Sequence, residues 1–399
     1  MNFIYISPNF PENHWLFCRH LRQNGVNVLG IGDCPYDNLI PELRESLNEY
    51  YKVSSLENYD EVYRAVAFFI HKHGRIDYLE SNNEYWLERD AALREDFHIT
   101  TGFLPKEMDQ VKRKSRMKER YAVAGIPTAL YHLVDDKAGC MAFIREVGFP
   151  VIVKPDNGVG AVGTYRLRDE AELDDFLAQK DDTQYIMEEY IDGTVVSYDA
   201  IVNGRGEPIL EAGNMTLGSI MDMVNEQRSC RVMIRDRLPE ALQRMGRAAL
   251  RAFHVKKRMV HFEFFCLNRD QRIGRKGEYA GLEVNMRPCG GILPTLINYA
   301  YSTDVYKIWA DMIVYDRSAK PIGSQQFCVL AGRRNCRSYV MSLDEVRAIY
   351  SDCIVEEGSV DPALATDLGD YAFLARLPSM DHVNAFFDRV LEERARGEN

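Results

Sequence analysis

Gly281 to Gly291 reads GLEVNMRPCGG, and the alternation inside it decides the fold. A strand through this stretch puts Leu282, Val284 and Met286 on one side and Glu283, Asn285 and Arg287 on the other. Polar strand faces are ordinarily just solvated. Yet a carboxylate, a carboxamide oxygen and a guanidinium at successive outward positions suit a hard cation held beside a phosphate. Pro288 and the pair Gly290-Gly291 then stop the strand. Upstream, Met259 to Leu267 (MVHFEFFCL) alternates in the same way, with His261, Glu263 and Phe265 on one side and Phe262 and Phe264 on the other. The intervening NRDQRIGRKGE is a loop of the kind that joins neighbouring antiparallel strands. Paired so, Glu263 and Glu283 share a face. With Asn285, water and phosphate oxygens they form the ligand set expected of Mg²⁺ carried in by a nucleotide.

The 399 residues suffice for two or three domains, and 46% apolar with 27% charged content is that of an ordinary globular chain. A net charge of -11 argues against general nucleic-acid binding, which needs a basic stripe. The nine cysteines include no C-x-x-C pair, so neither a zinc site nor a disulfide framework is indicated and a reducing compartment fits best. The start MNFIYISPNFPENH has no basic region before a long apolar one, and no segment approaches membrane-spanning length. The expectation is a cytoplasmic protein with no membrane partner.

Residues 1–105 alternate strands (FIYIS, VNVLGIG, YYKVS, IDYLES) with helices at Trp15–Gln23, Tyr59–His73 and Glu84–Asp96, which predicts a small parallel-sheet domain. Its first turn, SPNFPEN, lacks the glycines of a dinucleotide fingerprint. Asn82, Asn83 and Glu84 follow a strand's carboxyl end, where a helix N-cap is favoured over the lining of a crevice. Lys112 to Ala124 reads as one basic helix with mostly solvated lysines. VIVKP at Val151 to Pro155 closes an apolar run with a lysine, so Lys154 requires an anionic partner.

Gly158, Gly160 and Gly163 match G-x-G-x-x-G, but the following TYRL reads as a strand and the helix begins only near Asp169. No G-K-[ST] follows either, so the loop 156–164 is a hairpin tip whose amides can close over phosphates. QYIMEEYI at Gln184 to Ile191 is a strand whose glutamate pair fits either an exposed edge or a hinge that meets a purine.

Taken together, the ordered series K-x-x-M at Lys114 to Met117, VIVKP with its glycine loop, MEEYIDG, HFEF and LEVNMRPCGG resembles the ATP-grasp superfamily, in particular its carboxylate–amine ligases and the biotin-carboxylase-like branch. The resemblance covers about Asp109 to Tyr315 and implies a mixed α/β and α+β architecture. That means a Rossmann-like pre-grasp domain (1–105), an ATP-grasp domain of two subdomains (106–320) and a small C-terminal α+β segment (321–399). It further implies that Lys114 and Lys154 touch ATP phosphates beneath the loop of Gly158, Gly160 and Gly163. Glu188 would accept from the adenine amino group, with the backbone of Glu189 and Ile191 completing purine recognition. Glu263, Glu283 and Asn285 would hold Mg²⁺, with Mn²⁺ as a substitute, and Arg287 would stabilise the transferring phosphoryl group. Asp199 is kept, whereas Arg113 and Val195 depart from acidic residues common in relatives, which bears on ribose and outer contacts.

The implied reaction is ATP-dependent activation of a small-molecule carboxylate as an acyl phosphate, which an amine then displaces to form a C–N bond. Amino-acid-like substrates are expected, and homodimer formation is left open. An ATP-dependent carboxylase or kinase, or a nucleotide sensor without turnover, stand as alternatives. Arg228 and Arg231, between the hinge and metal strands, fit either a carboxylate clamp, with one of them in a binding role, or surface charges. Cys289 has no paired base and reads as packing. The C-terminal Arg333-Arg334 is expected at the solvated surface.

Overall fold

The computed structural model describes residues 1–158, 163–218 and 226–394. Among the described residues the strands form three sheets. The first holds β1 (Asn2–Ile6), β2 (Asn27–Gly32), β3 (Glu49–Lys52) and β4 (Tyr78–Glu80) in the order β3-β2-β1-β4, with every pairing parallel. Helices at Trp15–Gln23, Tyr59–His73 and Leu87–Asp96 cover it, which is why its strands read as continuous apolar runs. Because the order reverses between β1 and β4, their carboxyl ends open a crevice.

The second sheet, β5-β8-β6-β7, comprises β5 (Tyr131–Leu133), β6 (Val151–Pro155), β7 (Tyr165–Leu167) and β8 (Tyr185–Glu189). As expected, a strand and not a helix follows the glycine loop. The next helix, Glu170–Gln179, starts at an N-cap where the Asp169 side chain accepts from the Glu172 amide.

The third sheet is nine-stranded: β9 (Gly193–Val202), β10 (Pro208–Ala212), β11 (Asn214–Thr216), β12 (Cys230–Ile234), β13 (Arg258–Leu267), β14 (Tyr279–Asn285), β15 (Phe327–Arg333), β16 (Ile354–Ser359) and β17 (Tyr371–Leu377). Phe262, Phe264, Val284, Met286 and Val329 pack on one face; Ile201, Ile234, Met259 and Leu330 pack on the other.

The structure adds to one sequence expectation and corrects two. The segment from 321 carries the large sheet onward, because β15 pairs along β12 from Cys230↔Gly332 to Ile234↔Cys328. An unpaired edge on β12 leaves amides and carbonyls to satisfy, and the C-terminal strands do so. Arg333 and Arg334 are buried, 5% and 6% exposed, rather than solvated. Arg333 donates to the carbonyls of Val390 and Met341, and Arg334 to those of Arg228, Ala365 and Thr366. Finally, the basic helix is two helices, Pro105–Lys112 and Lys114–Val123, broken at an extended Arg113. The break turns Lys112, Lys114 and Lys118 inward, each at most 5% exposed.

Close packing at Gly332 makes one testable point. A Cβ there would lie 1.8 Å from the Leu368 carbonyl oxygen, a backbone atom that no rotamer change moves aside. Gly332→Ala is expected to cost about 3 kcal/mol in urea unfolding. Gly358→Ala, where nothing lies within 4 Å, is expected to cost none, so equal midpoints for the two variants would contradict the packing described. Among the described residues no helix is long and apolar enough to cross a membrane.

Candidate active site

Strand pairing puts Glu263 directly opposite Glu283 and His261 opposite Asn285, on the face that Phe262 and Val284 turn away from. A bulge follows Glu263, where Phe264 pairs with Gly281 and leaves Leu282 as the extra residue. On the other side of β13, Asp199 of β9 pairs with His261. Two carboxylates, a carboxamide and an imidazole therefore meet because two alternating strands are in this register and no other.

The imidazole bridges its neighbours. His261 Nδ1 lies 2.7 Å from Asp199 Oδ1 and Nε2 lies 3.3 Å from Glu263 Oε1. Burial opposes its charge, but the two carboxylates outweigh burial and lift its pKa to about 9, so it stands as an imidazolium. Ser197 Oγ also donates to Asp199. Glu263 is held below the usual carboxylate range, its burial overcome by His261, Arg287 and Lys154. Glu283 goes the other way: burial raises it, and the charges of Glu263 and Glu84 add to that against Lys114 and Lys154. A half-buried carboxylate pair in which one member resists ionisation lacks positive charge. That shortage, with the Asn285 oxygen beside it, fits a divalent cation.

Cationic groups arrive from the other elements. Lys114, first residue of its helix, reaches Glu283 at 3.3 Å and donates to the Gly158 carbonyl at 3.2 Å. The Asp156 carboxylate fixes that helix start by accepting from Ser115 N (2.8 Å) and Oγ (3.0 Å). Lys154 has the anionic partner its sequence context demanded, Glu188 on the adjacent strand at 2.8 Å. Glu188 also takes Lys118 at 2.8 Å, and the two ammonium groups override burial and pull its carboxyl down to about 2. Glu188, expected on a purine, is thus engaged by two lysines. The Glu189 amide donates to Leu130 O, and its carboxylate is taken by Leu130 N and Arg272, while Ile191 follows at the turn into β9. Gly163 adopts φ +71° at the end of the loop; Gly160 lies outside the described residues.

Arg287 caps the strand face, 17% exposed, with Nη1 donating to Pro288 O (2.8 Å), Nη2 to Asn285 Oδ1 (3.4 Å) and Nε 3.4 Å from Glu84 Oε2. Glu84 is paired in turn with Lys112 at 2.8 Å. The reading of residues 82–84 divides here: Asn83 caps its short helix by accepting from Tyr85 N, whereas Glu84 lines the crevice. Lys112, Lys118 and the full part of Glu84 were missed from the sequence. The i, i+4 spacing of Lys114 and Lys118 was the available signal, since it puts both on one helix face.

The two candidate clamp arginines lie elsewhere. Along β12, Cys230 and Val232 share the face of Ile201, so Arg231 must point to the other, where it stacks 6.0 Å from Phe387 and lies 3.5 Å from Asp388. It is on the opposite side of the sheet from Glu263. Arg228 pairs with Glu226 at 2.7 Å on an exposed stretch next to residues 219–225, which fall outside the described set. Cys289 is a packing residue as expected, 3% exposed with its thiol pushed well up by burial and by Asp199.

Two sheets presenting lysines and a carboxylate face to one another make up the ATP-grasp fold. Solved structures agree. An L-amino acid ligase from Bacillus licheniformis superposes with TM-score 0.73 at 15% identity, covering 99% of both chains. An N5-carboxyaminoimidazole ribonucleotide synthetase solved with ADP gives 0.68 at 14%, covering 96% of this chain and 94% of that one. The biotin carboxylase domain of a Hydrogenobacter thermophilus 2-oxoglutarate carboxylase, solved with MgADP and bicarbonate, gives 0.69 at 14%, covering 98% and 90%.

Among curated proteins, a D-alanine–D-alanine ligase of Flavobacterium johnsoniae is 30% identical over 141 residues, 33% of this chain and 43% of that one. An L-arginine-specific L-amino acid ligase of Bacillus subtilis is 22% identical over 263 residues, 64% of this chain and 62% of that one. The matches thus span less than two thirds of either curated relative. No family model matches the sequence. The chain has the ATP-grasp fold and is similar, over part of its length, to proteins named as ligases.

Proposed function

We propose that the chain is an ADP-forming carboxylate–amine ligase. The observation that carries this reading is the register Glu263↔Glu283 and His261↔Asn285, with Arg287 beyond it and Lys114 facing it. Relatives named D-alanine–D-alanine ligase and L-amino acid ligase support it. Glu263, Glu283 and Asn285 are the residues that would hold Mg²⁺, which supplies charge neutralisation at phosphate oxygens. Lys114 and Lys154 serve the triphosphate under the loop 156–164, and Glu188, Glu189 and Ile191 border the purine side. His261, held charged by Asp199, fixes the orientation of Glu263 as an outer partner does for a ligand carboxylate.

The chemistry asks for positioning and electrostatics rather than a nucleophile on the enzyme. The substrate carboxylate attacks the γ-phosphorus and ADP departs. An amine then attacks the acyl phosphate, the C–N bond forms as the C–O bond to phosphate breaks, and the amine proton is released. Arg287 sits where charge grows on the transferring group. An open depression of about 560 Å³ lined by Tyr165, Arg166, Phe176 and Tyr185 contains none of these groups and has no part in the scheme.

A phosphate-release screen over pairs of amino acids and carboxylic acids, followed by mass analysis, is expected to yield a product that has gained an amide and lost one water. A product gaining only CO₂ or a phosphoryl group would replace the ligase reading by carboxylase or kinase. Nucleotide binding without phosphate release from any pair would replace it by a sensor.

A further inference from the structure

We propose that the crevice between the carboxyl ends of β1 and β4 and the Arg287–Gly291 turn is a subsite for an α-amino acid, with Glu84 receiving its ammonium group. The inference rests on the ligase reading and deepens it by naming the acid component. Strand order reverses between β1 and β4, and open parallel sheets bind ligands at such a reversal. The loops leaving these strands carry Asn13 and His14 on one side and Asn82 and Glu84 on the other. Both loops touch the turn that follows the metal-face strand: Asn13 Nδ2 donates to Gly291 O at 2.9 Å, and Glu84 lies 3.4 Å from Arg287.

Two oxygens there have no hydrogen-bond donor. Glu84 Oε2 and Asn13 Oδ1 are buried acceptors that receive no hydrogen bond, the former having only the 3.4 Å ion pair with Arg287 Nε, and the Glu84 residue is only 6% exposed. Buried acceptors left unmatched are costly, so a ligand rich in N–H donors is the natural complement. His14 does not supply it. Its ring nitrogen is already 3.2 Å from Tyr5 Oη, and burial together with the Arg287 charge keeps the imidazole neutral.

The contact between Glu84 and Arg287 is longer than the 2.8 Å pair that Glu84 makes with Lys112. A zwitterion matches that loose pair charge for charge, its carboxylate on the guanidinium and its ammonium on Glu84. So placed, the carboxylate lies beside Asn285, which Arg287 Nη2 also contacts, on the strand face where phosphoryl transfer is proposed. Bicarbonate or a plain carboxylic acid brings no ammonium donor to Glu84 Oε2 or Asn13 Oδ1. Selection at this subsite is therefore for the amine as well as the acid.

The test titrates the full chain calorimetrically, with Mg²⁺ and a non-hydrolysable ATP analogue present, against a panel of L- and D-α-amino acids and the same acids lacking the α-amino group. At least one amino acid is expected to bind about tenfold to a hundredfold more tightly than its deamino counterpart. Glu84→Gln should bring the two to equal affinity. The comparison within wild-type protein needs no variant, so a misfolded substitution cannot hide the answer.

Equal binding of the two acids by wild type, no binding of any amino acid, or a preference surviving in Glu84→Gln would each overturn the subsite. Phosphate release driven by acids without an amino group would also overturn it while leaving ATP-dependent activation intact. An amino acid bound through Glu84 with no phosphate released would instead sink the ligase reading and leave the subsite standing.

Discussion

Arg287→Ala is expected to lower ADP formation by about a thousandfold while the protein stays folded and still binds nucleotide. An arginine that meets charge developing on a transferring phosphoryl group contributes about 10³ or more to turnover. Here the guanidinium is well placed for that work. It follows directly on the strand holding Glu283 and Asn285, and Arg258 holds the preceding carbonyl, that of Met286, by a 2.6 Å hydrogen bond. Arg258 is itself anchored to Glu80 at 2.5 Å, so the turn carrying Arg287 is tied to the N-terminal domain.

Losing the side chain removes a hydrogen bond to Pro288 O and the 3.4 Å contacts with Asn285 and Glu84, none of which supports the core. A unfolding midpoint close to wild type is expected for that reason. Glu283→Ala should give a comparable loss of turnover, since it removes one of the two facing carboxylates. Steady-state ADP release and calorimetric nucleotide affinity, measured side by side, decide the matter. Wild-type turnover in either variant would mean that the strand face is not the reacting site.

The second large effect concerns stability and pH. Asp90 is fully buried and accepts from Ser81 N at 2.9 Å and Ser81 Oγ at 2.7 Å through one oxygen. Its other oxygen, Oδ1, has no donor, and neither does Oε1 of Glu80. A proton on Asp90 shared with Glu80 satisfies both. Burial and the Glu80 charge, opposed by Arg94, raise Asp90 to about 7, while Arg258 and Arg94 overcome burial to hold Glu80 low. The two carboxyls form one coupled unit, with the proton on Asp90.

A carboxyl raised in the folded state binds more protons folded than unfolded between about pH 4 and 7. Stability from the Asp90 proton is therefore present at low pH and falls as pH rises through that window, by roughly 4 kcal/mol. Asp90→Asn reproduces the protonated form: its oxygen accepts from Ser81 and its amide donates to Glu80. Urea midpoints of wild type and variant, compared at intervals from pH 5 to 8, should diverge upward in favour of the variant as pH rises. A constant difference across the range would show that Asp90 carries no such proton.

How much of this was legible beforehand depends on the distance over which each feature is encoded. Alternation in GLEVNMRPCGG and MVHFEFFCL was enough to place Glu263, Glu283, Asn285 and His261 on one face, because strand periodicity is local. The demand for an anion at Lys154 was equally local, and Glu188 meets it. Arg231 stayed open between clamp and surface charge for the opposite reason. Its strand was plain, but which face turned toward Asp199 depended on how β12 joined β11 and β15. Lys112 and Lys118 looked solvated because nothing in their own helices shows the distant carboxylates of Glu84 and Glu188 that draw them inward.

The sequence by itself determined the parallel N-terminal sheet, the two alternating carboxylate strands and the strand after the glycine loop, since apolar periodicity and turn chemistry act over a few residues. Tertiary structure alone decided the continuation of the large sheet into the C-terminal strands, the burial of Arg333 and Arg334, and the meeting of Glu84 with Arg287. Those outcomes depend on which unpaired edge, carbonyl or charge is within reach once the chain has folded back, and partners separated by tens to hundreds of residues leave no mark on one another's local pattern.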